Sequence, residues 1–210
     1  MLNIALPKGR MGDDTYRLFY GLGYDCPDMD EDSRKLVFEN PEKGFRYLLV
    51  KPADVSIYVE YGAADIGVVG FDVLLESGSD VYELLDLGIG VCRLALAAPA
   101  AWVEDVSLPL RVATKYPRIA QRYFDSLNRQ IEIIYLNGSI ELAPILGLSD
   151  VIVDIVETGT TLRENNLVIK SVIEHSSARL IANKSSYRFE TRAIDDIRDR
   201  LNVLVREGGK

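Results

Sequence analysis

The chain has 210 residues, of which 48% are hydrophobic, so it is long enough for one large domain or two small ones with a sizeable core. Its formal net charge of −8 at pH 7 argues against non-specific nucleic-acid binding, which needs a basic face, although lysines and arginines gathered in one place would still accept an anionic substrate. Apolar runs are too short for a membrane span or a signal peptide, and Cys26 and Cys92 have no paired spacing, so we expect a cytoplasmic protein with two free thiols.

The first predicted element is a buried strand at 2–6, which is followed by the turn Pro7–Arg10. Because ligands of α/β folds bind beyond the carboxyl ends of strands, Lys8 and Arg10 are placed to meet an anion. A solvated basic turn is the alternative, and the local pattern does not decide between the two.

Strands and helices alternate through the first half of the chain. Apolar periodicity, glycine stops and the hairpin signal at Asn40–Gly44 set the expected boundaries. We predict helices at 13–22, 53–61 and 71–76 and strands at 36–39, 45–50, 65–70 and 82–86.

The second half continues this alternation, so the predicted class is α/β with mostly parallel sheets. Ser139 is the expected cap of a helix, with Glu141 in its first turn. We predict further strands at 91–98, 110–113, 130–136, 151–155, 167–173 and 179–182 and helices at 116–127, 139–146 and 188–205.

Two β-rich crossings, near 91–98 and 167–173, predict two lobes with a cleft between them. The strands at 167–173 and 179–182 are expected to lead back to the first lobe. The expected first lobe is 1–90 plus 174–210, and the expected second lobe is 91–173.

The most informative stretch is DVIVDIVETGTTLRENN, at 150–166. A β-branched strand broken by Asp154 leads into Glu157 and a Thr-Gly-Thr-Thr loop at the start of a helix. Gly159 lets the backbone approach a ligand, and the hydroxyls and amides around it suit a phosphate dianion. Acids beside such a nest make sense if the ligand also carries vicinal hydroxyls, as a ribose 5-phosphate does. A threonine-rich turn with a helix cap is the alternative.

This stretch resembles the phosphoribosyl-pyrophosphate (PRPP) loop of the ATP phosphoribosyltransferase family, whose reaction opens histidine biosynthesis. Four further runs resemble the same family in the same order. They are A-L-P-K-G-R (Ala5–Arg10), S-R-K-L (Ser33–Leu36), V-E-Y-G-A-A-D-I-G-V-V-G (Val59–Gly70) and N-G-S-I-E-L-A-P (Asn137–Pro144). Each run alone is weak, but the resemblance covers nearly the whole chain. It implies a bilobal fold similar to type II periplasmic binding proteins, with the active site in the cleft.

The resemblance also implies a reaction and the residues that perform it. Adenine N1 of ATP attacks the anomeric carbon of PRPP, pyrophosphate leaves with inversion, and phosphoribosyl-ATP forms. The residues expected to bind PRPP are Asp154 and Glu157, on the ribose hydroxyls, and Thr158, Gly159, Thr160, Thr161 and Leu162, on the 5-phosphate. The cations expected to act in catalysis on pyrophosphate or triphosphate are Lys8, Arg10, Arg34 and Lys51. The residues expected to contact ATP are Lys8, Gly9, Arg10, Ser139 and Glu141.

Two positions depart from the family pattern. Lys51 stands where many members have arginine, which keeps the charge but removes the bidentate fork. Phe71 replaces an expected lysine and is given no role. Lys115-Tyr116 suits a nucleotide contact and a structural helix start equally well. The sole histidine, His175, is expected in a solvated turn, and Trp102 is expected to pack.

The resemblance further implies cofactors and partners. Mg²⁺ would bridge the pyrophosphate through substrate oxygens and water, so no dedicated protein metal site is expected. The chain resembles the short form of the family, in which the C-terminal histidine-binding regulatory domain is absent. That form works in a hetero-octamer with a separate regulatory subunit similar to histidyl-tRNA synthetase. The expected partners are therefore ATP, PRPP and this subunit, with neither nucleic acid nor membrane among them.

Two other functions share parts of this pattern. A bilobal solute receptor would have the same fold, but the start of the chain carries neither an export signal nor a lipidation motif. A PRPP enzyme for another base would share the loop but would accept a free nucleobase and release pyrophosphate without ATP.

Overall fold

The computed structural model describes residues 1–29 and 34–208, so Ser33 of the S-R-K-L run and Gly209-Lys210 lie outside the described residues. Within those ranges the chain forms eleven strands and eight α-helices, and a 3₁₀ turn at Pro52–Asp54 leads into the second helix. The strands are β1 (Leu2–Pro7), β2 (Val37–Asn40), β3 (Phe45–Val50), β4 (Ile66–Gly70), β5 (Tyr82–Asp86), β6 (Cys92–Pro99), β7 (Leu110–Thr114), β8 (Ile131–Tyr135), β9 (Val151–Val156), β10 (Leu167–Ser176) and β11 (Ala178–Ala182). The helices are α1 (Arg10–Gly21), α2 (Val55–Glu60), α3 (Phe71–Ser77), α4 (Pro117–Ser126), α5 (Leu142–Ile145), α6 (Thr160–Glu164), α7 (Lys184–Phe189) and α8 (Thr191–Gly208). No helix in the described ranges combines the length and apolar character that a bilayer crossing needs.

The chain divides into two compact units, Met1–Gly90 with Ser177–Lys210 and Val91–Ser176. The return point differs from the predicted boundary between residues 173 and 174. Strand β10 continues to Ser176, and its last residues pair with β6, so they belong to the second unit. The expectation that 167–173 leads back to the first lobe is therefore wrong, as is the turn predicted for His175, which lies within β10 opposite Arg93.

The first unit holds a six-stranded sheet in the order β2-β3-β1-β4-β11-β5. Strands β3, β1 and β4 are parallel, whereas β2 and β11 run antiparallel to their neighbours. The turn at 40–44 reverses the chain after β2, as its sequence predicts. The sheet is thus mixed rather than mostly parallel.

The second unit holds a five-stranded sheet in the order β10-β6-β9-β7-β8. Strands β9, β7 and β8 are parallel, and β6 runs antiparallel to both β9 and β10. This sheet is also mixed. The α/β class itself is confirmed, because helices cover sheets in both units.

Alternating side chains give each sheet two apolar faces. In the first unit, Ile4 and Leu6 join a core with α1 and α8, while Ala5 faces a second core with α2. In the second unit, one face contains Ile152, Val156, Ile140 of the turn before α5 and Leu162 of α6, and α4 packs on the other face. A strand that is buried on both faces has a nearly continuous apolar sequence, and this pattern predicted these strands.

The terminal helix predicted at 188–205 is two helices, α7 and α8, separated at Glu190. Asn183 starts α7, because its side-chain oxygen accepts hydrogen bonds from Ser185 N and Ser186 N, both at 2.9 Å. The same side chain donates to the carbonyl oxygens of Val59 and Glu60 at 2.8 and 3.0 Å. Because Asn183 is the N-cap, the helical segment begins at Lys184 and not at residue 188, where periodicity predicted it.

Gly12 sets how closely α1 approaches the end of β1, since a Cβ there would lie 1.8 Å from the carbonyl oxygen of Pro7. We expect Gly12→Ala to lower the free energy of unfolding by about 1–3 kcal/mol, because backbone must shift to make room. Gly21→Ala in the same helix is the matched control, because its nearest neighbour would be Leu204 Cδ1 at 3.9 Å. Urea denaturation followed by circular dichroism measures both, and equal losses would contradict the close approach.

Candidate functional site

Strand β9 carries the first predicted site acid, Asp154, into the middle of the second sheet. Ala95 of β6 lies opposite Asp154, and Val153 pairs with Thr114 of β7. Because side chains alternate along a strand, Asp154 shares the sheet face of Ile152 and Val156, on which α6 packs. Asp154 is partly buried, and its Oδ1 accepts a hydrogen bond from Ile155 N at 2.8 Å.

The start of β9 is fixed to β7 by a bidentate ion pair. Arg111 Nη2 and Nε donate to Oδ1 and Oδ2 of Asp150 at 2.6 and 3.2 Å, and Arg111 N donates to Oδ2 at 2.9 Å. The hydrogen bond from the guanidinium lowers the pKa of the Asp150 carboxyl. The pair therefore stays ionised at neutral pH and holds β9 in register with β7.

The loop after β9 turns sharply at Gly159, whose φ of 76° lies in the left-handed region. A Cβ there would make only ordinary contacts, 3.6 Å to Arg163 Nη1 and 3.7 Å to Val156 Cγ1. Glycine is therefore favoured for its conformation and not for space. The short helix α6 follows at once, and buried Leu162 anchors it to the face that carries Val156.

The threonine hydroxyls of the loop are drawn together by Arg163. Thr158 Oγ1 and Thr160 Oγ1 lie 3.1 Å apart, and Arg163 Nη2 donates to Thr160 Oγ1 at 2.9 Å. Arg163 Nη1 also donates to the carbonyl oxygen of Thr158 at 3.2 Å. Thr161 is exposed, and its carbonyl accepts hydrogen bonds from Asn165. The result is a small polar surface of hydroxyls, amides and one cation beside exposed Glu157.

Sequence reasoning did not assign a role to Arg163. Its spacing of three residues from Thr160 is the signal that could have found it, because side chains three apart meet on a helix. The signal depends on the helix beginning at Thr160, which the structure shows.

Ser139 and Glu141 precede α5 on the same face of the second sheet. Buried Ile140 between them packs in the cluster that contains Val156 and Leu162. The predicted cap is wrong, because Ser139 has a φ of 50° and α5 runs only from Leu142 to Ile145. A left-handed residue cannot supply the extended backbone of a helix cap.

In the first unit, the predicted cations follow the carboxyl ends of parallel strands. Pro7 of β1 pairs with Val50 of β3, and Lys8 N donates to the Val50 carbonyl at 2.8 Å, so Lys8 and Lys51 leave the sheet side by side. Gly9, with a φ of 93°, lets α1 begin immediately at Arg10, and its carbonyl accepts from Gly12 N at 2.8 Å. Lys8, Gly9, Arg10 and Lys51 are all exposed.

Arg34 lies at the same sheet edge, just before β2, which runs antiparallel to β3. Leu49 N donates to the Leu36 carbonyl at 2.8 Å, and β2 then runs antiparallel to β3. The segment 34–36 therefore lies beside the carboxyl end of β3, next to Lys51, and Arg34 is exposed there. The predicted site residues thus form two groups, a basic edge in the first unit and an acidic, hydroxyl-rich loop in the second.

The remaining residues that the sequence singled out have identifiable neighbours. The Arg179 guanidinium lies 4.6 Å from the ring centroid of Phe71, where a lysine was expected. Lys115 Nζ lies 4.9 Å from the ring of Tyr116. Trp102 packs beside the α4 core, with Lys170 Nζ 5.9 Å from its ring.

The described residues contain two free thiols and no clustered set of metal ligands. No group of three or more His, Cys, Asp or Glu side chains within 1–29 and 34–208 is arranged to hold a metal ion. Cys26 is buried and Cys92 is partly buried, and both are free thiols.

Comparison with known proteins identifies close relatives. The family model described as ATP phosphoribosyltransferase matches residues 51–203. An ATP phosphoribosyltransferase from Brachyspira hyodysenteriae is 62% identical over 94% of this chain and 96% of its own length. One from Bacillus licheniformis is 51% identical over 100% of this chain and 97% of its own length.

A solved structure resembles the fold as a whole. It is the ATP phosphoribosyl transferase (HisG:HisZ) complex from Thermotoga maritima, in which a chain is 35% identical with a TM-score of 0.87. The match covers 99% of this chain and 100% of that chain.

Arg163→Ala should loosen the loop, because it removes the two hydrogen bonds to Thr158 and Thr160. We expect amide hydrogen exchange at 158–161 to speed up by about tenfold, while exchange in β9 stays unchanged. Arg122→Ala, an exposed arginine on α4, is the matched control. Unchanged loop exchange in Arg163→Ala, measured by mass spectrometry, would show that the guanidinium does not hold the loop.

Proposed function

Because the chain belongs to the ATP phosphoribosyltransferase family, we propose that it joins ATP to PRPP, giving phosphoribosyl-ATP and pyrophosphate in the first step of L-histidine biosynthesis. The observation that carries this proposal is the pair of site groups described above. One is a left-handed glycine loop with converging hydroxyls and nearby acids. The other is a basic strand edge. These are the surfaces that a sugar phosphate and a polyphosphate require.

The loop after β9 binds the 5-phosphate of PRPP. The hydroxyls of Thr158, Thr160 and Thr161 and the amides from Gly159 to Leu162 are the donors. Each charge-assisted hydrogen bond to a phosphate oxygen contributes about 1.5–3 kcal/mol. Support comes from the 3.1 Å separation of two of these hydroxyls and from the Arg163 contacts, which hold the donors together before the ligand arrives.

Asp154 and Glu157 bind the ribose hydroxyls. Asp154 lies on β9 and Glu157 directly precedes Thr158, so both carboxylates are close in the chain to the proposed phosphate donors. A carboxylate accepts two hydroxyl hydrogen bonds readily, so a vicinal diol offsets the repulsion between these acids and the phosphate. The partly buried position of Asp154 supports a fixed carboxylate orientation.

The basic edge of the first unit neutralises pyrophosphate and the ATP triphosphate. Lys8, Arg10 and Arg34 supply the charge, and Lys51 adds a fourth cation without the bidentate fork of arginine. Their common position at the carboxyl ends of β1 and β3 supports this role. Gly9 contributes backbone to the ATP site, and Ser139 and Glu141 contribute from the turn before α5.

Catalysis needs no protein nucleophile. Holding adenine N1 in line with the anomeric carbon supplies about 7–11 kcal/mol in favourable cases. As the bond from the anomeric carbon to the pyrophosphate oxygen breaks and the bond to adenine N1 forms, negative charge grows on the departing pyrophosphate, and the cations stabilise this charge more in the transition state than before it. Mg²⁺ would arrive with the substrate, held by pyrophosphate oxygens and water, and would further neutralise the leaving group.

The proposal extends to a partner subunit. The Thermotoga maritima relative is a HisG:HisZ complex. We propose that this chain likewise works with a separate regulatory subunit similar to histidyl-tRNA synthetase, in a hetero-octamer through which histidine inhibits. The two free thiols support a cytoplasmic location.

An absorbance assay tests the proposed reaction directly. The full chain is mixed with PRPP, ATP and Mg²⁺, with and without the regulatory subunit. We expect phosphoribosyl-ATP and pyrophosphate in equal amounts. Pyrophosphate release with a free nucleobase but not with ATP would identify a different PRPP enzyme. A folded chain that neither turns over nor binds PRPP under any of these conditions would overturn the proposal.

Thr161→Val tests the phosphate assignment, because valine keeps the β-branched shape and removes the hydroxyl. We expect PRPP affinity to fall about 10- to 100-fold while ATP affinity stays within about twofold. Thr161→Ser, which retains the hydroxyl, is the control and should restore most of the affinity. Equal losses for both ligands, measured by calorimetry, would move the phosphate site away from this loop.

A further inference from the structure

One arginine outside the predicted site lies beside it. Arg93 of β6 pairs with Val156, the last residue of β9, and Ala95 of β6 pairs with Asp154. Residues opposite each other in a sheet share a face, so the Arg93 side chain leaves the sheet on the face of Val156 and Asp154. Arg93 is therefore the neighbour of the strand end from which the loop begins.

The guanidinium of Arg93 has unused hydrogen-bonding capacity. Its Nε is buried and has no hydrogen-bond partner among the described residues. Buried donors in folded proteins nearly always find a partner, and an orphan one calls for a reason. A bound ligand that brings an acceptor oxygen is such a reason, and arginine with its fork of donors suits phosphate oxygens best.

The position of Arg93 in the sheet indicates which group of the ligand it contacts. Diagonal neighbours across a sheet, such as Arg93 and Asp154, are within reach of long side chains. The 5-phosphate donors come later in the chain, at 158–162, whereas Arg93 stands level with the acids proposed for the ribose. The anion attached at the other end of that ribose is the pyrophosphate.

We propose that Arg93 binds the pyrophosphate of PRPP. This inference rests on the proposed function and adds a cation on β6 beside the loop after β9. The guanidinium donates from Nε and one Nη to pyrophosphate oxygens. Its charge holds the leaving group and offsets the repulsion that Asp154 and Glu157 exert on it.

Binding of three ligands to the full chain tests this assignment. Mg²⁺-PRPP, Mg²⁺-pyrophosphate and ribose 5-phosphate are titrated by calorimetry into wild type, Arg93→Gln and Arg93→Lys. Arg122→Gln, an exposed arginine of α4 on the opposite sheet face, is the control for loss of one charge. Thermal melting without ligand checks folding, and Arg93→Lys carries the test if Arg93→Gln does not fold.

For Arg93→Gln we expect PRPP and pyrophosphate to bind about 10- to 100-fold more weakly and ribose 5-phosphate to bind as in wild type. Arg93→Lys should fall between the two, because it keeps the charge and loses the fork. Unchanged pyrophosphate binding in both variants would overturn the inference. So would a parallel loss of ribose 5-phosphate, which would make Arg93 a positioning residue for Asp154. A wild-type chain that binds no PRPP would instead overturn the proposed function.

Discussion

The register of strand β9 between β6 and β7 fixes the acidic, hydroxyl-rich loop in space. Its backbone bonds to an antiparallel and a parallel neighbour, and the Arg111–Asp150 pair ties its start to β7. Side chains alternate with a period of two, so a slip of one residue would carry Asp154 to the opposite face. The same slip would move Val156 off this face, so Val156 would no longer pack with Leu162 of α6.

In both units the candidate site residues lie at the carboxyl ends of strands. The loop begins at the carboxyl end of β9, and the basic residues follow the carboxyl ends of β1 and β3. The amide groups of the helices that start there, and the freedom of strand ends to carry irregular loops, make this edge the usual ligand side of α/β folds. Although the chain has a net charge of −8, Lys8, Arg10, Arg34 and Lys51 lie together at one sheet edge, and a local group of cations attracts anions whatever the net charge.

Two residues of α6 keep the loop ordered. Leu162 is buried in the sheet core and Arg163 bridges to Thr158 and Thr160. The left-handed backbone at Gly159 lets these contacts form within a few residues. Donors that are already oriented lose less entropy on binding than mobile ones, which would favour tight binding of the sugar phosphate proposed for this loop.

By itself the sequence determined the local features. The apolar runs, the hairpin at 40–44, the glycine loop at 159 and the basic turn after β1 follow from short-range patterns, and they were sufficient for the α/β class and for nominating the candidate site residues. The tertiary structure alone decided the mixed direction of both sheets, the continuation of β10 through His175 and the left-handed backbone of Ser139. It also decided the neighbours of Arg93 and Arg163. The sheet directions, the extent of β10 and the neighbours of Arg93 depend on strand pairing between residues far apart in the chain, and periodicity within one strand carries no information about which partner lies beside it or in which direction that partner runs.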